Sequence, residues 1–339
     1  MILRLIDICH IEKGQQIDTD KLDDLKPYKY INGGIKESGY FDQYNTIGNT
    51  ITVSEGGASC GYVNYICEPF WCGCHCYKLT NSKVDSKYLY YALKANEQKI
   101  MALRTGVAMP NIRKSSFENM TVNIDDDAIT QEKVILTLDN IVDLIKKSER
   151  ELDLLDSLTK SRFIEMFGNK DGDISLDNLC QICRGASPRP ISVFITKDPN
   201  GVNWIKIGDV DPEAIYITKT EEKITQAGAS KSRRVYPGDF VLSNSMSFGR
   251  PYLLATEGCV HDGWLIISNY QKNYRPLFLY YLLRSESVQN QFSKDAGGTT
   301  VKNLNSDIVK KTKVSLYPLD IQDEFVEFAL AIDKLKFSL

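Results

Sequence analysis

Cys72, Cys74, His75 and Cys76 stand close together in CEPFWCGCHC (Cys67–Cys76), a dense set of metal-type donors. Structural zinc takes ligands in pairs two to four residues apart, with a second pair further along the chain. Alternate residues Cys72, Cys74 and Cys76 would share one face of a strand and could not wrap a single tetrahedral ion. Cys180 and Cys183 form a C-x-x-C, but the matching first-half positions are Cys9 and Glu12, so the pair is not a repeated device. The cysteines therefore read as buried thiols, with no metal and no cofactor. His75 and His261 fall in roughly corresponding places, and each could face a ligand or stabilise a turn.

Hydrolytic chemistry lacks candidates: the chain has three histidines, with no paired carboxylates in matching loops. No G-x-x-x-x-G-K-[ST] phosphate loop is present, which argues against nucleotide-driven motion. The loops carry residue types suited to nucleic-acid contact, although Gly-rich stretches of this kind read equally as plain turns. Arg, Lys, Asn, Gln, Ser and Thr read base edges, while Lys, Arg and backbone N–H groups hold phosphates. In the first half, EKGQQ offers Lys13, Gln15 and Gln16. The Gly-rich SEGGASCGY allows close backbone approach and carries Ser54, Ser59 and Tyr62. PNIRKSS adds Asn111, Arg113 and Lys114. In the second half, CRGASPRP contributes Arg184 and Arg189, and SNSMSFGR contributes Asn244, Ser247 and Arg250. GGTTVKN contributes Thr299, Thr300 and Lys302. The basic run ASKSRRVYPGD, with Arg233 and Arg234, suits either a phosphate clamp or a solvated turn.

The elements that must position these loops are written twice. YLYYAL (Tyr88–Leu93) returns as FLYYLL (Phe278–Leu283), and self-similarity of this kind sets the architecture. LIDICHIEKG returns as LDNLCQICRG, YKYINGG loosely as VNWIKIGD, IGNTITVS as YPGDFVLS, and TGVAMPNIRKSSF as GGTTVKNLNSDIV, in the same order. Two copies are too few for a solenoid and indicate tandem domains. Each reads as mixed α+β, with short β-branched and aromatic runs and helices near Lys87–Lys99 and Leu277–Phe292.

Each half ends in a heptad-like segment. In the first, apolar positions fall at Val134, Leu138, Ile141, Ile145, Leu152, Leu155 and Met166, with Ser148, Thr159 and Arg162 on the same seam. Some forty residues of helix would be roughly 60 Å long. In the second, the seam is Ile321, Phe325, Phe328, Ile332, Leu335 and Leu339, about half that length. The expected boundaries are 1–125 and 169–316 for the two domains, 126–168 for the central helix and 317–339 for the C-terminal one.

The chain has 339 residues, 42% hydrophobic and 25% charged, with a net charge of −3. This is the profile of a soluble globular protein and gives no global pull toward nucleic acid, though a sequence reader needs only local basic loops. MILRLIDICH carries Arg4 and Asp7 within its apolar stretch, so no signal peptide or membrane span is expected. Nine cysteines then suit a reducing cytoplasm.

Globular domain, long helix, similar domain, second helix: this order resembles the specificity subunit of type I restriction-modification systems. The stretches that carry the resemblance are LKPYKYINGGIKESGY, NTITVSEGGASCGYVNY, FWCGCHCYKL, AMPNIRKSSFENMTV, YPGDFVLSNSMSFGRPYL, AITQEKVILTLDNIVDLI and PLDIQDEFVEFA. The resemblance implies a non-catalytic DNA-recognition subunit whose two target recognition domains each read half of a bipartite double-stranded site. The helices would act as spacers and dock methyltransferase subunits, with restriction subunits joining through that complex. Methyl transfer would reside in a partner, since no N-P-P-Y-type motif or Gly-rich cofactor loop occurs here. The short C-terminal helix departs from the pattern and raises self-association as an expectation. Leu138, Ile141, Ile145, Leu152, Leu155, Phe325, Phe328 and Ile332 are the expected helix-packing or subunit-interface residues. The rival readings are the recognition subunit of a related system organised differently, and a coiled-coil scaffold for proteins.

Overall fold

The computed structural model describes residues 1–106, 108–168, 171–244, 248–295 and 303–338. Its contacts divide into two units, Met1–Lys147 and Ser148–Leu339.

In the first unit, an antiparallel sheet runs in the order His10–Lys13, Cys76–Thr80, Thr50–Ser54, Val63–Ile66. Thr50–Ser54, paired on both edges, is buried along its whole length, so both faces of the sheet are covered at this strand. A smaller sheet orders Tyr40–Phe41, Tyr28–Ile31 and Trp71–Cys72, and the last pair is parallel, with Tyr30 opposite Trp71 and Ile31 opposite Cys72. The helix Ser86–Ala95 begins where Asp85 accepts hydrogen bonds from the N–H groups of Lys87 and Tyr88, an acidic N-cap. It turns Leu89 and Leu93 into the core beside Leu5, Val53, Val63 and Phe117. The expected helix over Lys87–Lys99 is two, broken at Asn96 before Glu97–Ala102.

The second unit repeats the plan with more strands. One sheet orders Gln181–Arg184, Trp264–Ser268, Phe240–Ser243, Pro251–Leu254 and Tyr216–Ile217. The other orders Ile195–Thr196, Glu222–Ile224, Val202–Ile205, Gly258–Val260 and Arg233–Val235. Its parallel pair, Trp204 opposite Cys259 and Ile205 opposite Val260, is the counterpart of the parallel pair in the first unit. The helix expected over Leu277–Phe292 is likewise two, Pro276–Arg284 and Glu286–Asp295.

The central helix runs without a break over Ala128–Phe167 and the terminal helix over Leu319–Lys336. Within the first unit, the central helix is tied down by Lys87 and Tyr91, which bond Asp139 at 2.7 and 2.5 Å. Within the second unit it lies against the terminal helix, running antiparallel: Arg162 meets Glu324 at 3.0 Å and Lys336 meets Asp156 at 2.5 Å. An aromatic knot closes this end, with Phe163 and Phe167 against Phe278 and Phe325.

The seam differs from the heptad reading in register. Near the end of the central helix the buried residues are Thr159, Phe163 and Phe167, so Phe163 and Phe167 replace Arg162 and Met166. Two rings bury more apolar area than an Arg and a Met, and the helix rotates to bury them. Leu138, Leu152 and Leu155 are half-buried, while Ile141 and Ile145 remain 46% and 52% exposed. On the terminal helix Phe325 and Ile332 are buried with Gln322 and Ala329, Phe328 is half-buried, and Ile321 and Leu335 are exposed. Leu339 lies outside the described residues.

Candidate nucleic-acid interface

In each unit, long-range backbone hydrogen bonds draw four loops to one end of the sheet. In the first unit, Gly14 N–H donates to Cys76 O at 3.1 Å and Gln15 N–H to Cys72 O at 2.8 Å. Glu55 N–H donates to His75 O at 2.8 Å, and Ile112 N–H to Glu55 O at 2.8 Å. In the second, Gly185 N–H donates to Trp264 O at 2.8 Å and Ala186 N–H to Val260 O at 3.2 Å. Asn244 N–H donates to Gly263 O at 3.0 Å, and Leu304 N–H to Asn244 O at 2.8 Å. The two sets match bond for bond. Gly14 and Gly185 are required by this stitching, because a Cβ on either would lie 2.2 or 2.1 Å from a carbonyl oxygen of the facing loop.

The scaffold aligns the halves more finely than sequence did. Cys76 corresponds to Trp264 and Cys72 to Val260, so His261 corresponds to Gly73, and His75 to Gly263. The two histidines are not counterparts. His261 is mostly buried, and its Nδ1 accepts from Gly263 N–H at 2.8 Å while Nε2 lies 3.3 Å from Ile207 N. Burial lowers its pKa, opposed by Asp262 and Asp209, and the ring is a neutral brace for its turn. The three neighbouring cysteines do not share a strand face either. Cys72 ends one strand and Cys76 starts the next, and both are buried. Cys74, on the turn between them, donates to Gln16 Oε1 at 2.8 Å. The Cys76 contact and burial together push the Cys72 thiol up, so it stays protonated. Among the described residues no cluster of His, Cys, Asp and Glu is arranged to hold a metal ion.

In the first unit, Lys13, Gln15, Asn111, Arg113 and Lys114 are exposed on or beside the gathered loops. Lys13 Nζ is 2.7 Å from Glu55 Oε2, and Lys114 pairs with Glu118. Ser54 is a correction: it is 3% exposed, inside the sheet, because it ends the central strand. Ser59 turns inward to bond Gly33 O, and Tyr62 is half-buried under Lys94, 3.9 Å from its ring centre.

In the second unit, Arg184 and Arg189 are exposed and converge on one residue, Asp262. Arg184 Nε donates to the Asp262 carbonyl at 2.8 Å, and Arg189 Nη2 to its carboxylate at 3.1 Å. Ser187 Oγ donates to the other carboxylate oxygen at 2.6 Å. That bond from Ser187, with the two arginines, holds the carboxyl below the usual range. Asn244 is 6% exposed and sends Nδ2 to the Asp262 carbonyl at 3.3 Å; it supports the turn from beneath rather than facing outward. Arg250 leaves the group, pinned against Pro212 and Glu213. Arg233 and Arg234 are exposed on a strand of the other sheet. Arg234 bonds Gln226 and lines a separate recess of about 270 Å³ with Lys223 and Glu257. Ser247, Thr299, Thr300 and Lys302 lie outside the described residues.

Sequence reasoning missed Glu55 and Asp262, since each sits in a Gly-flanked turn and reads as a turn former. It also missed Gln131 and Gln322. Each is a buried glutamine near the start of one of the two long helices, and each accepts the N–H of the N-cap residue of the repeated domain helix. Gln131 takes Asp85 N–H at 3.1 Å and Gln322 takes Arg275 N–H at 2.9 Å. Their alignment in AITQEKV and LDIQDEF was the available signal.

The family described as "Type I restriction modification DNA specificity domain" matches residues 1–154 and 172–339. The chain belongs to this family. It is 36% identical over 139 residues to a putative type I specificity subunit of Mycoplasma genitalium and 37% identical over 118 residues to one of Mycoplasma pneumoniae. These matches cover 40% and 34% of this chain, and span about a third of those relatives' length, 36% and 31%. A type I restriction enzyme specificity subunit of Methanocaldococcus jannaschii is 22% identical over 288 residues, 75% of this chain and 65% of that one. The fold is shared with the solved S subunit of the M. genitalium type I system, at TM-score 0.61 and 18% identity over 100% of this chain and 90% of that one. A structure described for assembly and conformational transition of a type I system gives TM-score 0.59 at 13% identity, over 100% of this chain and 91% of that one. The type I specificity chain thus comprises two tandem mixed α/β target recognition domains, a long helix between them and a shorter C-terminal helix. Among the described residues no helix is long and apolar enough to cross a membrane.

Proposed function

We propose that this chain is the non-catalytic DNA-reading subunit of a cytoplasmic type I restriction-modification complex. Each target recognition domain reads one half of a bipartite double-stranded site, and the long helices act as spacer and as docking surface for methyltransferase subunits. Restriction subunits join through that core. One observation carries the reading: the same set of backbone hydrogen bonds, in both units, gathers loops that expose Lys13, Gln15 and Asn111 in one and Arg184 and Arg189 in the other. A duplicated scaffold with different exposed donors is what two readers of different half-sites require, since base discrimination resides in side chains and register in the backbone frame. Arg113 and Lys114 are suited to phosphates beside the first half-site, and Arg233 and Arg234 beside the second.

The test is co-expression with the methyltransferase subunit of the same genome, followed by mapping of adenine methylation. The expected result is one split motif with a fixed gap. Exchange of residues 1–125 for those of another specificity subunit should change one half only. A soluble complex that methylates without sequence preference would overturn the reading and favour a scaffold. A palindromic motif would show instead that one domain of each of two copies does the reading, through self-association of the short helix.

A further inference from the structure

Arg189 is 80% exposed at its side chain, yet it is not loose. Its Nη2 donates to Asp262 Oδ2 at 3.1 Å. Asp262 is itself fixed from several sides. Ser187 Oγ donates to its Oδ1 at 2.6 Å, and its own N–H donates back to Ser187 Oγ at 3.2 Å. Its carbonyl oxygen takes Arg184 Nε at 2.8 Å and Asn244 Nδ2 at 3.3 Å. Four bonds therefore fix this turn before Arg189 reaches it.

An exposed ion pair of this kind adds little to stability, so its consequence is orientation. A guanidinium tied at one Nη keeps its remaining N–H groups in a rigid planar fork. Two parallel donors in a plane match the O6 and N7 acceptors that guanine shows in the major groove. A phosphate is the poorer match, because the adjacent carboxylate cancels the charge and repels an anion. We propose that Asp262 is a specificity-determining positioning residue that holds Arg189 to read a guanine in the half-site of the second domain.

The first domain also ties a basic residue to a buttressed carboxylate, although Lys13 aligns with Arg184 and its ammonium has no planar fork. Lys13 Nζ lies 2.7 Å from Glu55 Oε2, and Tyr77 Oη donates to Glu55 Oε1 at 3.1 Å. Glu55 is the counterpart of Asn244, so the carboxylate arrives from a different loop. A basic tip on the first loop, steadied by a buttressed carboxylate, recurs although the residues that build it do not.

The inference rests on the DNA-reading function proposed above, and its test separates the two. Methylation rates of the complete complex would be measured on duplexes carrying the motif and each single base-pair change of it. Wild type, Arg189→Ala, Asp262→Asn and the double variant would be compared. The expected result is a G·C pair in the second half-site whose discrimination falls at least tenfold in Arg189→Ala, with other positions unchanged. Asp262→Asn should lower it about three- to tenfold at the same pair, and add nothing when Arg189 is already alanine. Arg189 is exposed, so its variant tests the reading without endangering the fold. A second half-site without a G·C pair overturns the inference. Unchanged discrimination in either single variant does the same, as does a loss spread evenly over all positions, the mark of a purely structural Asp262. A wild-type complex with no split motif overturns the underlying function, and the inference falls with it.

Discussion

Gln322 is fully buried where the terminal helix meets the second recognition domain, and its amide makes three hydrogen bonds. Oε1 accepts from Arg275 N–H at 2.9 Å, and Nε2 donates to Asn273 O at 2.9 Å and Tyr317 O at 2.8 Å. Gln322→Leu keeps the volume and strands three backbone groups without water. Taking about 1 kcal/mol for each, the low end for a buried unsatisfied group, the cost is about 3 kcal/mol. At roughly 2–4 °C per kcal/mol for a domain of this size, the melting temperature of the second unit should fall by roughly 6–12 °C. Trp204 and Trp264 are buried in that unit and Trp71 is in the other, so a Trp71→Phe background makes tryptophan fluorescence report the second unit alone. Gln131 makes two equivalent bonds, to Asp85 N–H and Asp125 O. Gln131→Leu should therefore cost about 2 kcal/mol by the same reckoning, read in the first unit. A fall of under about 2 °C for Gln322→Leu would refute the reasoning, by showing that the helix start is not held through this amide.

Two further outcomes follow from the gathered loops. His261 has a folded pKa below its unfolded value of about 6.5; the neutral ring accepts from Gly263 N–H at Nδ1, and protonation there would set a ring N–H against that donor. Its contribution is fully present above pH about 6.5 and is lost as pH falls through the lower folded value. Chemical denaturation of the second unit between pH 7 and 5 should show this decline, and His261→Gln should flatten it, with Asp262, Asp209 and Lys206 unchanged around the site. Gly185→Ala would place a Cβ against the His261 carbonyl and should cost about 1–3 kcal/mol by forced displacement, measured by urea denaturation; the exposed Gly208, with open space around it, should accept alanine nearly silently.

Much of the architecture was legible in the sequence because it is written in local, repeated signals. The YLYYAL and FLYYLL helices carry their own apolar faces, the first with a local Asp85 cap, and the long helix declares itself through periodic apolar spacing. The duplicated order of strands and turns placed the loops in equivalent positions without reference to any contact. The contents of the site depended on pairings across long stretches of chain. Ser54 and Asn244 were expected at the surface for their chemistry, yet each lies where a central strand ends, under loops that arrive from dozens of residues away. His75 and His261 looked alike by neighbourhood, and only the register of the parallel strand pairs set them two positions apart. The heptad reading was one residue out near Phe163 and Phe167, since spacing alone does not weigh ring area against Arg162 and Met166. Asp262 gathers Arg184, Ser187 and Arg189 from some 75 residues upstream. Periodicity fixes which face of an element is apolar; which carboxylate a given arginine meets is decided by how strands distant in sequence pair, and that is a property of the tertiary structure alone.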